Sequence, residues 1–181
     1  MKIEYTRLNT ADANFEKEFS KCEKSFFEIL SNAYQTYYGI EYHKKRMIDG
    51  KSIIYLAYVD NVLVGVSYVK FNCRRGGTAI YPDKYKRLGL AENLVKLSLT
   101  DFPKQYSILS TNLEHSYKMI SLMNKLGFKR AMTVEEIQKV VGGEFHLLSN
   151  FRLDNEYMIF DRESERRGGS KRQFLILMHT F

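Results

Sequence analysis

The sequence predicts a single α/β domain of the α+β kind over residues 1–181, built on a mixed, mostly antiparallel central sheet. Three observations predict it. The stretch SIIYLAYVDNVLVGVSYVKF sets two β-rich runs on either side of Asp60-Asn61, a turn dipeptide that tolerates positive φ. Residues 14–38 repeat apolar side chains at spacings of three and four, the stripe of an amphipathic helix. No internal repeat, linker or low-complexity tract divides the chain.

In chain order, Lys2–Leu8 is expected as a first strand. The helix over 14–38 would bury Phe15, Phe19, Cys22, Phe26, Leu30, Ala33 and Tyr37, with Asp12 or Asn14 as cap and Gly39 as terminator. The hairpin follows. Arg74-Arg75-Gly76-Gly77 reads as a turn, and TAIY after it as a short strand halted by Pro82. A helix then places Leu90, Leu94 and Leu97 at helical spacing and runs to Asp101, with Pro103 beyond. YSILST (106–111) reads as a strand, and SYKMISLMNKLGF (116–128) as a helix from Ser116 closed by Gly127. Two late runs, EYMIF (156–160) and QFLILMHTF (173–181), flank RESERRGGSK, a hairpin connection rich in arginine and glycine.

At 181 residues, with 44% hydrophobic side chains, the chain can bury a substantial core. No apolar run approaches the ~20 residues that span a bilayer, and MKIEYTRLNT lacks the apolar centre of a signal peptide. A cytoplasmic protein with no membrane partner is expected. Cys22 and Cys73 match no metal spacing, and His43, His115, His146 and His179 form no paired motif, so no metal is expected. Twenty-eight Lys and Arg against 21 Asp and Glu leave +7. That excess suits an anionic ligand, whether a nucleotide-bearing cofactor, an acidic substrate or nucleic acid; solvation alone is the competing reading.

The segment YKRLGLAENLV (85–95) sharpens the choice. A strand feeds a short loop bearing Lys84, Lys86 and Arg87, and the loop opens a helix. Free N–H groups and the positive dipole end there attract anions. Gly89 removes the side chain that would hold a pyrophosphate off the backbone, Ala91 keeps the next position small, and Lys86 and Arg87 can reach phosphate oxygens. The alternative is a solvated basic turn capped by glycine.

Residues 52–131 resemble the core of the GNAT superfamily of acyl-CoA N-acyltransferases. Lys86-Arg87-Leu88-Gly89-Leu90-Ala91 is similar to the Arg/Gln-x-x-Gly-x-Gly/Ala loop, AYVDNVLVGVSYVKF to the second and third strands with Gly65, TAIYP to the fourth strand, and MNKLGFKR to the Gly-Phe ending of the fourth helix. The resemblance implies helices on both faces of the sheet and a splay between the fourth and fifth strands that admits acetyl-CoA. It implies that Ile80 and Tyr81 offer backbone groups to the pantetheine and thioester, and that Lys86, Arg87, Leu88, Gly89, Leu90 and Ala91 hold the pyrophosphate. Where the family commonly has a tyrosine acid, four residues before the glycine of Gly-Phe, this chain has Met123, expected to face the CoA sulfur. Ser116 aligns with the usual asparagine, and Asn112 is the other candidate cofactor contact. Glu114 and His115 are candidate bases and Tyr117 a substitute acid, each set against a reading as solvated surface. The segment PDKY (82–85) is one residue longer than the commonest spacing.

The activity implied is transfer of an acetyl group from acetyl-CoA to a primary amine of a small molecule or protein, directly within a ternary complex. Tyr34, Tyr38 and Tyr42 are candidates to line the amine pocket, although such tyrosines can equally pack the first helix onto the sheet, the preferred reading for Tyr34 and Tyr37; within the longer tail 132–181, residues 132–165 could serve as a substrate lid. The alternative is a catalytically weakened module that binds or modifies nucleic acid through Lys44, Lys45 and Arg46 and the basic tip at Arg162, Arg166, Arg167, Lys171 and Arg172. Edge protection and solubility are the preferred reading of that tip, and nucleic acid is not the favoured partner. A homodimer is left open.

Overall fold

The hairpin expected around Asp60-Asn61 is present, and it organises the first half of the protein. In a computed structural model, described over residues 1–34, 40–49, 51–110, 113–131, 133, 135–136, 151–154, 157–160 and 172–179, the chain forms two compact units, 1–71 with 75–102 and 72–74 with 103–181. The first holds a four-stranded antiparallel sheet in the order β1 (Ile3–Asn9), β2 (Ser52–Val59), β3 (Val62–Lys70), β4 (Arg75–Ile80). Asp60 and Asn61 turn the β2–β3 hairpin at φ 48° and 66°, the left-handed pair that matches strand twist.

Strand alternation feeds both faces. Ile54, Leu56, Val66, Tyr68 and Ala79 pack with Phe15, Phe19, Phe26, Phe27, Ile29 and Leu30 on one side. Ile53, Tyr55, Ala57, Val59 and Val69 pack with Leu90 and Leu94 on the other. Because both faces are covered, β2 reads as an unbroken apolar run. The first side belongs to α1 (Phe15–Ser20) and α2 (Glu23–Tyr34), the second to α4 (Leu90–Asp101), and α3 (Ile40–Asp49) adds Met47 to the first.

Several expectations are corrected. The helix from residue 14 is two helices, because the chain tightens at Cys22, whose N–H donates to Phe19 O three residues back before α2 resumes with Phe26 N–H on Cys22 O. Its apolar stripe is buried through Leu30, but Ala33 is exposed; Tyr37 and Gly39 lie outside the described residues. Asn14 takes the cap position without a side-chain bond, while Asp12 O accepts Phe15 N–H. Leu97 is 40% exposed, at the rim of a helical face centred on Leu90, Leu94, Val95 and Ser98. Helix α3 was not expected from the sequence, because Lys44, Lys45 and Arg46 set a run of charge beside Met47, its buried contact.

The largest revision concerns Arg74-Arg75-Gly76-Gly77, which is not a turn. Arg75 begins β4, and Gly76 and Gly77 sit inside the strand as a bulge. Val69 pairs with Arg75 and Ser67 with Thr78, so two β4 residues face Tyr68 alone. A Cβ on Gly76 would lie 2.0 Å from Cζ of the Tyr68 ring. Glycine is there so that the ring can lie against the strand.

The second unit pairs β5 (Gln105–Ser110), β9 (Arg172–His179), β8 (Tyr157–Phe160) and β7 (Phe151–Asp154) in that order, with β6 (Lys129–Arg130) also on β9. Every ladder is antiparallel, and β8–β9 is the expected late hairpin pairing. Strands β6 and β7 were not anticipated: the first is only two residues long and the second only four, too short for a pattern to stand out. Helix α5 (Leu113–Lys125) starts three residues before Ser116. It closes as expected, with Gly127 at φ 87° and Phe128 N–H returning to Met123 O.

Candidate cofactor-binding site

The loop between β4 and α4 is built by a cis Tyr81-Pro82 peptide, a single 3-10 turn over Asp83–Tyr85, and two left-handed residues, Arg87 (φ 72°) and Gly89 (φ 73°). Leu88 and Tyr85 pack against the apolar cluster beneath α4, anchoring the loop from inside. Gly89 is the N-cap, with no side-chain cap. The first helical bond runs from Asn93 N–H to Gly89 O, so the amides of Leu90 and Ala91 precede the ladder of the helix. A Cβ placed on Gly89 would meet nothing within 4 Å. The glycine therefore answers a conformational demand and leaves the approach to those amides open.

The cations stand on the outer side of this loop, exposed. Lys86 Nζ lies 2.5 Å from Asp83 Oδ1, an exposed pair that contributes little and yields readily to a phosphate. Lys84 Nζ sits 4.9 Å from the Tyr85 ring centroid, and Arg87 makes no ion pair among the described residues. Just upstream, Tyr81 N–H donates to Val64 O at 2.9 Å, so its amide is committed and its carbonyl is the group it can offer. Alternation turns the N–H and C=O of Ile80 away from β3, toward the outer edge of the last strand in this sheet.

The remaining candidates belong to the second unit or to the early helices. Met123 is 1% exposed, and Tyr117 is 60% exposed with Lys118 Nζ 5.7 Å from its ring. Glu114, His115 and Ser116 fall in the first turns of α5 rather than in a loop, and Asn112 lies outside the described residues. Tyr34 closes α2 and Tyr42 lies in α3, while Tyr38 and the segment 161–171 are outside the described residues. Lys44, read as part of a basic surface, instead reaches Glu23 (3.1 Å) and Glu16 (3.5 Å), drawing α3 against α1 and α2. Those carboxylates, Glu23 first, raise its pKa. Among the described residues, no three His, Cys, Asp or Glu side chains cluster as metal ligands. No described helix is long and apolar enough to cross a membrane.

Sequence reasoning missed a polar group behind the site. Arg75 is 3% exposed. Its Nη1 donates to Ser98 Oγ (2.7 Å), and its Nη2 donates to Ser67 Oγ (2.8 Å) and to Thr78 Oγ1. Nearby, Tyr55 donates to Asp101 Oδ2 at 2.7 Å, and Arg7 Nε meets the same oxygen at 3.0 Å. Burial, then the bond to Asp101, pushes the Tyr55 hydroxyl far above the ordinary tyrosine range. A buried arginine beside two glycines imitates a turn in sequence, and no local signal separates the two cases.

No family model matches the chain, and no curated protein matches it. Solved structures do, over nearly their full lengths. An aminoglycoside 6′-acetyltransferase type Ii superposes with a TM-score of 0.60 at 12% identity, covering 98% of this chain and 96% of that one. The ribosomal-protein-S18-alanine N-acetyltransferase of Escherichia coli gives 0.59 at 11% identity over 98% and 96%. A GNAT family acetyltransferase from Elizabethkingia anophelis with acetyl-CoA bound gives 0.57 at 13% identity over 99% and 98%. The chain has the GNAT acetyltransferase fold.

Proposed function

We propose that this chain is an acetyl-CoA-dependent N-acetyltransferase whose 1–181 span works as one catalytic domain. It would carry an acetyl group to a primary amine of a small molecule or protein. The observation that carries the reading is the end of α4: a left-handed glycine cap, leading amides and flanking cations, within the GNAT fold. The amides of Leu90 and Ala91 would take pyrophosphate oxygens, with Lys86 and Arg87 adding charge-assisted bonds. The outward backbone groups of Ile80 suit a pantetheine amide, which extends a strand edge as a peptide does. When acetyl-CoA is bound, the amine nitrogen bonds to the acetyl carbon, the C–S bond breaks, and the nitrogen sheds a proton.

The chain's own contribution is orientation of the two reactants, with backbone N–H stabilisation of the developing oxyanion. Met123 cannot protonate the departing thiolate, and an exposed Tyr117 suits a surface role better than an acid; a thiolate leaves tolerably without one. Glu114 or His115, early in α5, would receive the amine proton directly or through water. Acceptor choice would fall to the Tyr34–Tyr42 region and the tail after 132. The aminoglycoside and ribosomal-protein enzymes of the same fold support an amine acceptor of either size.

The test is thermal stability with acetyl-CoA, free CoA and short oligonucleotides, followed by thiol release over an amine panel. Acetyl-CoA and CoA should raise Tm by mass action, and oligonucleotides should not. No shift at millimolar acetyl-CoA would overturn the reading, and stabilisation by oligonucleotides alone would favour a nucleic-acid-binding module.

A further inference from the structure

One row of polar side chains crosses the whole first sheet in register. Arg7 pairs with Tyr55, Tyr55 with Ser67, and Ser67 with Thr78, one residue from each of the four strands. Arg75 joins the row only because of the Gly76-Gly77 bulge. Three residues from Thr78, it would face the opposite side of a regular strand. The row meets α4 at two points. Arg75 reaches Ser98 Oγ, which itself donates to Val95 O, and Tyr55 with Arg7 reaches Asp101. The C-terminal half of α4 is thus tied by directional bonds to all four strands. Its N-terminal half rests on the apolar contacts of Leu90 and Leu94 and on one exposed bond, from Asn93 Nδ2 to the Tyr5 hydroxyl at 3.0 Å.

Burying a guanidinium is unfavourable before its bonds are counted, and an apolar side chain commonly fills such a place at no loss of stability. What Arg75 supplies is direction. Its planar fork fixes Ser98 of α4 against Ser67 of β3 and Thr78 of β4 at once. The same strand ends at Ile80, and the same helix begins at Gly89. The geometry points to Arg75 as the positioning residue of the cofactor site: through Ser98 it sets the register of α4, and so where the Leu90 and Ala91 amides stand relative to the outer edge of β4. This role rests on the cofactor reading given above. It makes affinity for the pyrophosphate-bearing ligand depend on a residue that does not touch it.

Pantetheine separates this role from mere structural support, because it would use the β4 edge and carries no pyrophosphate. Arg75→Met and Ser98→Ala, with folding checked by circular dichroism and thermal melting, should each weaken CoA binding by roughly tenfold or more, as a displaced binding group does. Pantetheine affinity, followed by NMR titration, should change by no more than about twofold. Amide exchange at Leu90–Asn93 should quicken. Should Arg75→Met fail to fold, Ser98→Ala carries the test, since it removes a single neutral hydroxyl. If folded variants bind CoA as the wild type does, or lose CoA and pantetheine equally, the positioning role is wrong while the cofactor site stands. A wild-type protein that binds neither ligand would overturn the cofactor reading and this role with it.

Discussion

Gly89 carries two demands that separate substitutions can tell apart. Its φ of 73° disfavours side chains, yet nothing lies within 4 Å of a Cβ there. Asparagine and aspartate both tolerate left-handed backbone, so they share a small conformational cost. Only aspartate brings a negative charge to amides and cations suited to an anion. Gly89→Asn should therefore weaken CoA binding modestly, while Gly89→Asp should weaken it at least about tenfold further, the equivalent of 1.4 kcal/mol. Calorimetry with CoA checks the pair, and equal affinities would remove the pyrophosphate from this loop. Tyr117, 60% exposed, gives the converse expectation. Tyr117→Phe should keep most of the turnover, whereas a loss of about a hundredfold, the scale of a missing general acid, would return that role to it.

At the scale of elements, the bulge in β4 is the feature most sensitive to a single methyl. A Cβ on Gly76 would lie 2.0, 2.2 and 2.4 Å from three Tyr68 ring atoms, and Tyr68 is itself buried at 8% exposure. Neither strand nor ring can yield without disturbing the core that holds α2. Gly76→Ala should destabilise the protein by about 1–3 kcal/mol, the range for overpacking. Adding Tyr68→Leu should recover part of that loss, because the ring is the obstacle. Urea denaturation of the single and double variants measures both. Losses that simply add would show that the strain lies elsewhere.

The molecule as a whole should resist alkali poorly. Burial keeps the Tyr55 hydroxyl protonated well above the ordinary range, and burial with the neighbouring Cys22 thiol pushes Tyr58 up to about 12. An unfolded tyrosine loses its proton near about pH 10. Above that pH the folded state binds more protons than the unfolded one, so stability, intact below it, falls as pH rises. Each retained proton contributes a slope of up to about 1.4 kcal/mol per pH unit. Urea midpoints between pH 8 and 11.5 should show the decline. Tyr55→Phe should lower stability at neutral pH, by about 1 kcal/mol for its bond to Asp101, and should flatten the alkaline slope. An unchanged slope would mean that Tyr55 ionises freely in the folded state.

The fold class was legible because its signals are local. Alternation across Asp60-Asn61, the spacing of Phe15, Phe19 and Phe26, the Gly127 closure and the glycine opening α4 each express backbone preference or burial within a few residues. The glycine-capped, cation-flanked end of α4 was legible for the same reason, since loop, glycine and cations adjoin in sequence. Arg75 was not. Two glycines after two arginines announce a turn, and only Tyr68, lying flat on Gly76 from the neighbouring strand, makes the segment a bulge. The bulge then decides which face Arg75 occupies, and partners 8 and 23 residues away, Ser67 and Ser98, decide that a guanidinium can stay buried. Backbone propensity and hydrophobic period act between near neighbours, and they determined the elements and the loop. Register and the satisfaction of a buried charge depend on residues that meet only after folding, so the tertiary structure alone decided the polar row that holds α4 in place.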